Sequence, residues 1–163
     1  MLGYDKGWLL DGHAGRTTEE ALESFKNLIA VKQPKMVVWC MGMNNMDVDN
    51  STPNAKWLES TQEVIRICNL YDITLVLATI PSTPSAQGDY TGGSPRNNNA
   101  KNDWIVASGY RYFDQVSALG ADRNGNWIND YWQSATDHTH TNEKGARALL
   151  MRLIADVPEV LCN

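Results

Sequence analysis

The sequence predicts an α/β fold built on a parallel sheet. Two continuous apolar runs of strand length, Met36–Met41 and Ile73–Ile80, show no polar alternation, as expected of strands covered on both faces. They alternate with segments of helical period, so right-handed crossovers bring the strands side by side. At 163 residues the chain fits one domain, spanning its whole length, that buries roughly two thirds of its unfolded surface.

The elements follow in order. Trp8-Leu9-Leu10, running into Asp11-Gly12-His13-Ala14-Gly15, reads as a short strand delivered into a glycine-rich turn. Thr17 with Glu20 has the form of a capping box, and Leu22, Phe25 and Leu28/Ile29 recur at helical spacing until Pro34 stops the run. The strand within Lys35–Gly42 ends in Gly42-Met43-Asn44-Asn45. A second helix, about Ala55 to Tyr71, places Leu58, Thr61, Ile65 and Cys68 on one face.

After the Ile73–Ile80 strand, Pro81–Asn99 is rich in Pro, Ser, Gly and Asn. It leaves the carboxyl end of a strand, where open α/β sheets bind ligands, and is a candidate substrate loop. A helix of about Asn99–Ser108 and a short strand Tyr110–Asp114 come next. Asp122-Arg123-Asn124-Gly125 lacks the spacing and closing glutamate of a calcium loop and reads as a turn. The last helix, Glu143–Val157, presents Ala146, Leu149/Leu150 and Leu153/Ile154 inward and ends before Pro158.

Composition narrows the function classes. A formal net charge of -5 without a basic run gives no electrostatic footprint for nucleic acid or an anionic membrane, so small or neutral substrates are expected. No apolar stretch approaches the ~20 residues that span a bilayer, and Met1–Leu10 lacks the pattern of a signal peptide; a soluble chain is expected. Cys40, Cys68 and Cys162 are odd in number and widely spaced. They read as buried thiols rather than a disulfide framework or metal cluster, and neither metal nor cofactor is expected. Six tryptophans and six tyrosines against two phenylalanines suggest that some aromatics line a groove, since Trp and Tyr carry a polar tip.

Three loops carry the chemistry. Asp137 stands three residues before His140, just ahead of a helix start. A histidine so placed can take a proton from a nucleophile while the carboxylate holds its ring in one tautomer. Gly15, at another helix start, can aim its backbone N–H at an oxyanion, and the Asn44 amide can donate a second hydrogen bond. In a parallel sheet all three loops fall along one edge, a combination suited to acyl transfer. Taken singly, each residue also reads as a solvated turn, a helix entry or a loop cap.

These blocks resemble those of the SGNH, or GDSL, hydrolases, over essentially the whole chain. Gly12-His13-Ala14-Gly15-Arg16-Thr17-Thr18 is similar to that family's glycine block and Gly42-Met43-Asn44-Asn45 to its asparagine block. Asp137-His138-Thr139-His140 is similar to its last block, in wording close to rhamnogalacturonan acetylesterases. The resemblance implies a flavodoxin-like, three-layer α/β/α fold with a parallel sheet. It implies an esterase with His140 as base, Asp137 as its orienter, and Gly15 and Asn44 as oxyanion donors, acting on acyl esters and, in the branch named, on acetyl groups of carbohydrate. Trp127, Tyr131 and Trp132 are then candidates to stack on a sugar face, with core packing as the alternative.

Two departures stand out. Asn45 occupies a place where the family usually has aspartate. The family's first block, Gly-Asp-Ser on a first strand, is missing, since no Gly-Asp-Ser occurs anywhere in the sequence. Gly88-Asp89-Tyr90 is only an echo in a loop, and there is no Gly-x-Ser-x-Gly elbow. In flavodoxin-like order the first strand lies between the second and third, so the sheet is expected to lack it. The chain is then either an N-terminally truncated form of a longer esterase or one that pairs with another chain, as a homo-oligomer, to close the ladder. The competing reading is a catalytically silent binding or oligomerising module on the same fold. A flavin or phosphate binder is disfavoured by the lack of a phosphate-cradling loop after an initial strand.

Overall fold

The computed structural model describes residue 7 and residues 9–12, 14–47, 49–83, 97–133 and 137–161. Five helices and three strands follow one another along the chain: α1 Thr18–Lys32, β1 Met36–Trp39, α2 Ala55–Leu70, β2 Thr74–Ala78, α3 Asn99–Ala107, β3 Tyr112–Phe113, α4 Gln115–Leu119 and α5 Glu143–Asp156. The strands form one parallel sheet in the order β1-β2-β3, with Val37 beside Leu75 and Leu77 beside Tyr112. The α/β class and the parallel sheet match the sequence expectation, and among the described residues no strand precedes β1.

Local chemistry explains the helix bounds. The Glu20 carboxylate accepts the Thr17 N–H at 2.9 Å, satisfying a donor that the first turn of α1 leaves orphaned. Gln33 ends α1 in the left-handed region, φ 45°. Asn54 caps α2 by accepting from the Lys56 and Trp57 N–H groups, both at 3.1 Å. The buried stripe of α2 is Trp57, Ser60, Thr61, Val64, Ile67 and Cys68, so the expected face turns slightly and leaves Leu58 and Ile65 half-buried. The short α4, not foreseen from the residues, is capped by the Asp114 carboxylate, which accepts the Ser117 N–H at 3.1 Å.

The two sides of the sheet are packed unequally. One side holds Phe25, Ile29, Trp39, Trp57, Val64, Leu75, Leu77 and Ile105 in a continuous core under α1, α2 and α3. Phe25 and Trp39 meet edge to face at 5.6 Å, as do Trp57 and Trp104, and each fully buried apolar side chain of this set contributes about 1.5–3 kcal/mol. The other side is thinner. Val76, Ala78, Phe113 and Val157 are buried there, flanked by half-covered Met36, Val38, Leu149 and Leu153.

Several expectations are corrected. β2 is buried from Leu75 to Ala78, but Met36, Val37 and Val38 of β1 are only half-buried; among the described strands β2 is its one neighbour. The β1 strand stops at Trp39; Cys40, just beyond it, has solvent-exposed surface, while the atoms crowded around its sulfur push the thiol up to about 12. Cys68 is buried, and burial pushes its thiol up to about 11; Cys162 lies outside the described residues. Leu9 and Leu10 form no strand and are exposed: a strand needs a partner ladder, and none of the described residues supplies one. Trp8 and His13, like most of the candidate substrate loop, including Gly88-Asp89-Tyr90, lie outside the described residues. No helix among the described residues is long and apolar enough to cross a membrane.

Gly42 marks the point where β1 hands over to the asparagine loop. Its φ is +133°, and a Cβ built on it would lie 2.6 Å from both the Trp57 indole nitrogen and Ile80 Cδ1. Both the backbone angle and the space demand glycine. Gly42→Ala is therefore expected to cost about 2–4 kcal/mol from strain and overpacking together, read as a lower denaturation midpoint with an unchanged slope. A midpoint equal to that of the parent chain would refute this packing.

Candidate active site

The asparagine loop is clamped to the start of α1. Asn44 Nδ2 donates to the Arg16 carbonyl at 3.0 Å, which sets its amide beside the residue that follows Gly15. Gly15 itself is exposed with φ +74°, a left-handed conformation that suits glycine at a helix entry. Asn44 is thus tied to the residue that follows the other candidate donor.

Asn45 explains how this chain tolerates its departure from aspartate. Its Oδ1 accepts from the Thr18 N–H at 2.8 Å and the Thr18 hydroxyl at 2.9 Å, while its Nδ2 donates to a Glu19 carboxylate oxygen at 2.7 Å. The residue is buried, 5 % exposed. Partial burial works to raise the Glu19 carboxyl, but the Asn45 amide and the other hydrogen bonds outweigh it, holding Glu19 below its ordinary 4.5. An aspartate here would set two carboxylates against each other where Asn45 now donates. Asn45→Asp is expected to destabilise by about 1–3 kcal/mol at neutral pH. The pair's raised pKa makes this loss shrink as acidification protonates one of them. Thermal melts of both proteins against pH check it, and a difference that stays constant or grows on acidification would contradict it.

Behind this loop lies a buried ion pair that the sequence did not signal. Lys101 and Asp47 side chains are both 0 % exposed, with Nζ to Oδ1 at 3.1 Å. Lys101 Nζ also donates to the Asn45 carbonyl. Asp47 further accepts from the Lys101 N–H at 3.1 Å and the Asn54 N–H at 2.8 Å. Desolvation lowers the Lys101 pKa against the opposing pull of Asp47. A lysine inside a helical run reads as solvated from sequence alone, and only the tertiary fold reveals its partner.

The Asp137–His140 pair forms as the spacing suggested. His140 Nδ1 lies 2.9 Å from Asp137 Oδ2. Asp137 Oδ1 also accepts from the Thr139 and His140 backbone N–H groups, each at 3.0 Å. Partial burial acts to raise the Asp137 carboxyl, but these backbone donors and the His140 ring outweigh it, keeping its pKa below the ordinary 3.8. An ionised Asp137 accepts only, so Nδ1 carries the proton and Nε2 is the basic nitrogen. The His140 side chain is 55 % exposed and that of Asp137 13 %, so the orienting group is sheltered while the base faces outward.

The segment is pinned at its flanks. The Gln133 N–H donates to the His140 carbonyl at 3.0 Å, Trp132 bridges to Thr141, and Asn142 caps α5 by accepting the Gly145 N–H at 3.0 Å. The Asn142 N–H and its amide also reach the Tyr131, Asp130 and Trp132 carbonyls.

Trp127 and Trp132 require a correction. They are buried, 5 % and 9 % exposed, and meet edge to face at 6.0 Å, so neither offers a ring face to a sugar. Their role is support: the Trp127 indole donates to the Ser82 carbonyl at 2.8 Å, and Trp132 packs on the His138 ring at 3.5 Å between centroids. Ser82 Oγ accepts the Asn98 N–H at 3.0 Å, and Asn98 Nδ2 touches Met43 Sδ at 3.7 Å. A continuous line of contacts therefore runs along the carboxyl edge of the sheet, from the asparagine loop through Asn98, Ser82 and the two tryptophans to the dyad segment. Tyr131 is half-buried at its end.

A cleft of about 400 Å³ lies elsewhere, lined by Leu9, Asp11, Ser24, Leu28, Val31 and others; it contains none of the candidate residues. Among the described residues, no group of three or more His, Cys, Asp or Glu is placed to hold a metal ion.

No protein-family model matches the chain, and no curated protein is significantly similar to it. Solved structures are. A GDSL-like lipase from Bacteroides thetaiotaomicron superposes with a TM-score of 0.73 at 13% identity, over 95% of this chain and 77% of that one. An acetyl xylan esterase gives 0.63 at 15% identity, over 90% and 79%. A psychrotrophic esterase from Pseudoalteromonas gives 0.58 at 16% identity, over 91% and 75%. At these identities the likeness is one of fold. The chain has the α/β fold of the SGNH, or GDSL, hydrolases, and among the described residues no strand precedes β1.

Proposed function

We propose that this chain carries the acid/base and oxyanion half of a carboxylic ester hydrolase. The observation that carries this reading is the Asp137–His140 contact of 2.9 Å, with the carboxylate fixed by two backbone N–H groups. In acyl transfer the His140 Nε2 takes the proton of the attacking hydroxyl and later returns it to the leaving alcohol, while Asp137 steadies the imidazolium. The Gly15 N–H and the Asn44 amide are the donors for the oxygen that becomes negative when the ester carbon turns tetrahedral. The neighbours of this fold include an acetyl xylan esterase, which favours small acyl esters and, among them, acetyl groups on carbohydrate. Tyr131 is the one proposed sugar contact that the packing leaves partly accessible.

The nucleophilic serine is proposed to come from outside this sequence, which has no Gly-Asp-Ser. Without it, His140 can act only by activating water, and turnover by the chain alone is expected to be modest. Hydrolysis of p-nitrophenyl acetate, followed for the parent chain and His140→Ala, tests the reading. Turnover above buffer that disappears in His140→Ala supports it. Absence of turnover supports the second reading, a silent module on the same fold, which the missing serine block favours.

A further inference from the structure

The entry to α5 carries more hydrogen bonds than a helix cap needs. Asn142 Oδ1 accepts the Gly145 N–H at 3.0 Å, which is all that capping asks of a side chain. Its Nδ2 donates in addition to the Asp130 carbonyl at 2.6 Å and the Trp132 carbonyl at 2.9 Å, and its backbone N–H donates to the Tyr131 carbonyl at 2.9 Å. Three successive carbonyls thus accept from one residue. Both amide hydrogens are used, a pattern that serine and aspartate cannot reproduce although each caps a helix about as well.

Gly145 completes the contact. It is the one buried residue of α5, and a Cβ built on it would lie 2.8 Å from the Tyr131 carbonyl oxygen and 2.9 Å from Thr141 Cβ. The first turn of α5 therefore rests directly on the two backbone segments that flank the dyad. His140 stands between them: its N–H donates to Asp137 Oδ1 at 3.0 Å, and its carbonyl accepts the Gln133 N–H at 3.0 Å. Gln133 follows Trp132, which pairs with Thr141 across an antiparallel bridge. Asp137 thus holds the amide side of His140, while the carbonyl side depends on the Asp130–Gln133 segment, which the Asn142 amide ties to the dyad's own stretch of chain.

We propose that Asn142 is a positioning residue for the His140 base. By fixing Asp130–Trp132 against Thr141, its amide keeps the His140 ring on the Asp137 carboxylate with the proton on Nδ1. Asp137 selects the tautomer, and Asn142 holds the backbone in the place where that selection operates, because the directions open to a side chain are set by its backbone. Asn142 acts through the chain and not on the reacting atoms. The inference rests on the reading of His140 as a base, but its first readout, the ring tautomer, needs no turnover.

The test is ¹⁵N NMR of the histidine rings at a pH where the imidazole is neutral, with His140→Ala identifying the His140 signals. The parent chain is expected to show His140 with its proton on Nδ1. Asn142→Ser keeps a capping oxygen and loses both amide donors; it is expected to shift His140 toward the Nε2–H tautomer, which an unrestrained imidazole prefers in water. Gly145→Ala keeps the amide but sets a methyl group against the Tyr131 carbonyl, and is expected to shift the tautomer in the same direction; it carries the test if Asn142→Ser does not fold. In p-nitrophenyl acetate hydrolysis, Asn142→Ser is expected to lower kcat about tenfold or more with KM little changed. A folded Asn142→Ser chain whose His140 keeps the parent tautomer overturns the inference, as does a parent chain with the proton on Nε2. A tautomer that shifts in a parent background without His140-dependent turnover leaves the coupling standing and removes only the esterase reading.

Discussion

Lys101→Met is expected to be among the most damaging single changes in this chain, lowering stability by about 3–5 kcal/mol. The substitution keeps the volume and removes the charge, leaving the Asp47 carboxylate in a site where both side chains are 0 % exposed. For a chain of this length that loss corresponds to a fall of about 10 °C or more in Tm. It also releases the Asn45 carbonyl from Lys101, and with it the loop that presents Asn44. Adding Asp47→Asn is expected to recover part of the loss, because it removes the unpaired buried charge and its amide oxygen keeps an acceptor for one of the two backbone N–H groups that reach Asp47. Circular dichroism melts of the single and double variants check both statements. A single variant that melts within a degree or two of the parent would show that the pair contributes nothing.

Asp137→Asn is expected to cut whatever His140-dependent ester turnover the chain supports by about tenfold or more. The amide can still occupy the space, but it offers a donor to Nδ1 as readily as an acceptor. The ring can then hold its proton on Nε2, where a base is needed. The change should appear in kcat far more than in KM, because the tautomer matters to proton transfer and not to binding. A pH effect follows from the same contacts. Asp137 is held below its ordinary 3.8, so its contribution to the loop is present above that value and fades as pH falls through the lower folded-state pKa. An Asp137→Asn chain with unaltered kcat would mean that the carboxylate only braces the turn.

Much of this was legible in the residues themselves. The α1 start at Thr17 and Glu20, the Asn54-capped α2 and the β2 run between Ile73 and Pro81 are written in local chemistry, and the structure places them within a few residues. The Asp137–His140 pair was legible for the same reason: a three-residue spacing at a helix entry lets one carboxylate reach both a ring nitrogen and a backbone N–H. What failed to show depended on neighbours distant in sequence. Trp127 and Trp132 stand just upstream of the histidine and resemble a sugar platform, yet they pack on each other and on His138, with the Trp127 indole held by Ser82. Leu9 and Leu10 have strand composition, but no described strand pairs with them. Lys101 was invisible because its partner, Asp47, lies on the far side of α2 and β2 in the chain.

Asn45 shows the reverse, a departure that became informative once its contacts were known. Its amide supplies both an acceptor for Thr18 and a donor for Glu19, and an ionised aspartate could offer only the first. The residue thus ties the glycine and asparagine loops into one unit, which is what neighbouring oxyanion donors require.

The most direct test of the acid/base assignment is the pH–rate profile of p-nitrophenyl acetate hydrolysis by the parent chain and by His140→Ala. The expected result is a rate for the parent chain above buffer, which His140→Ala lowers to the buffer rate at every pH. A profile that His140→Ala leaves unchanged would contradict the assignment of His140 as the base.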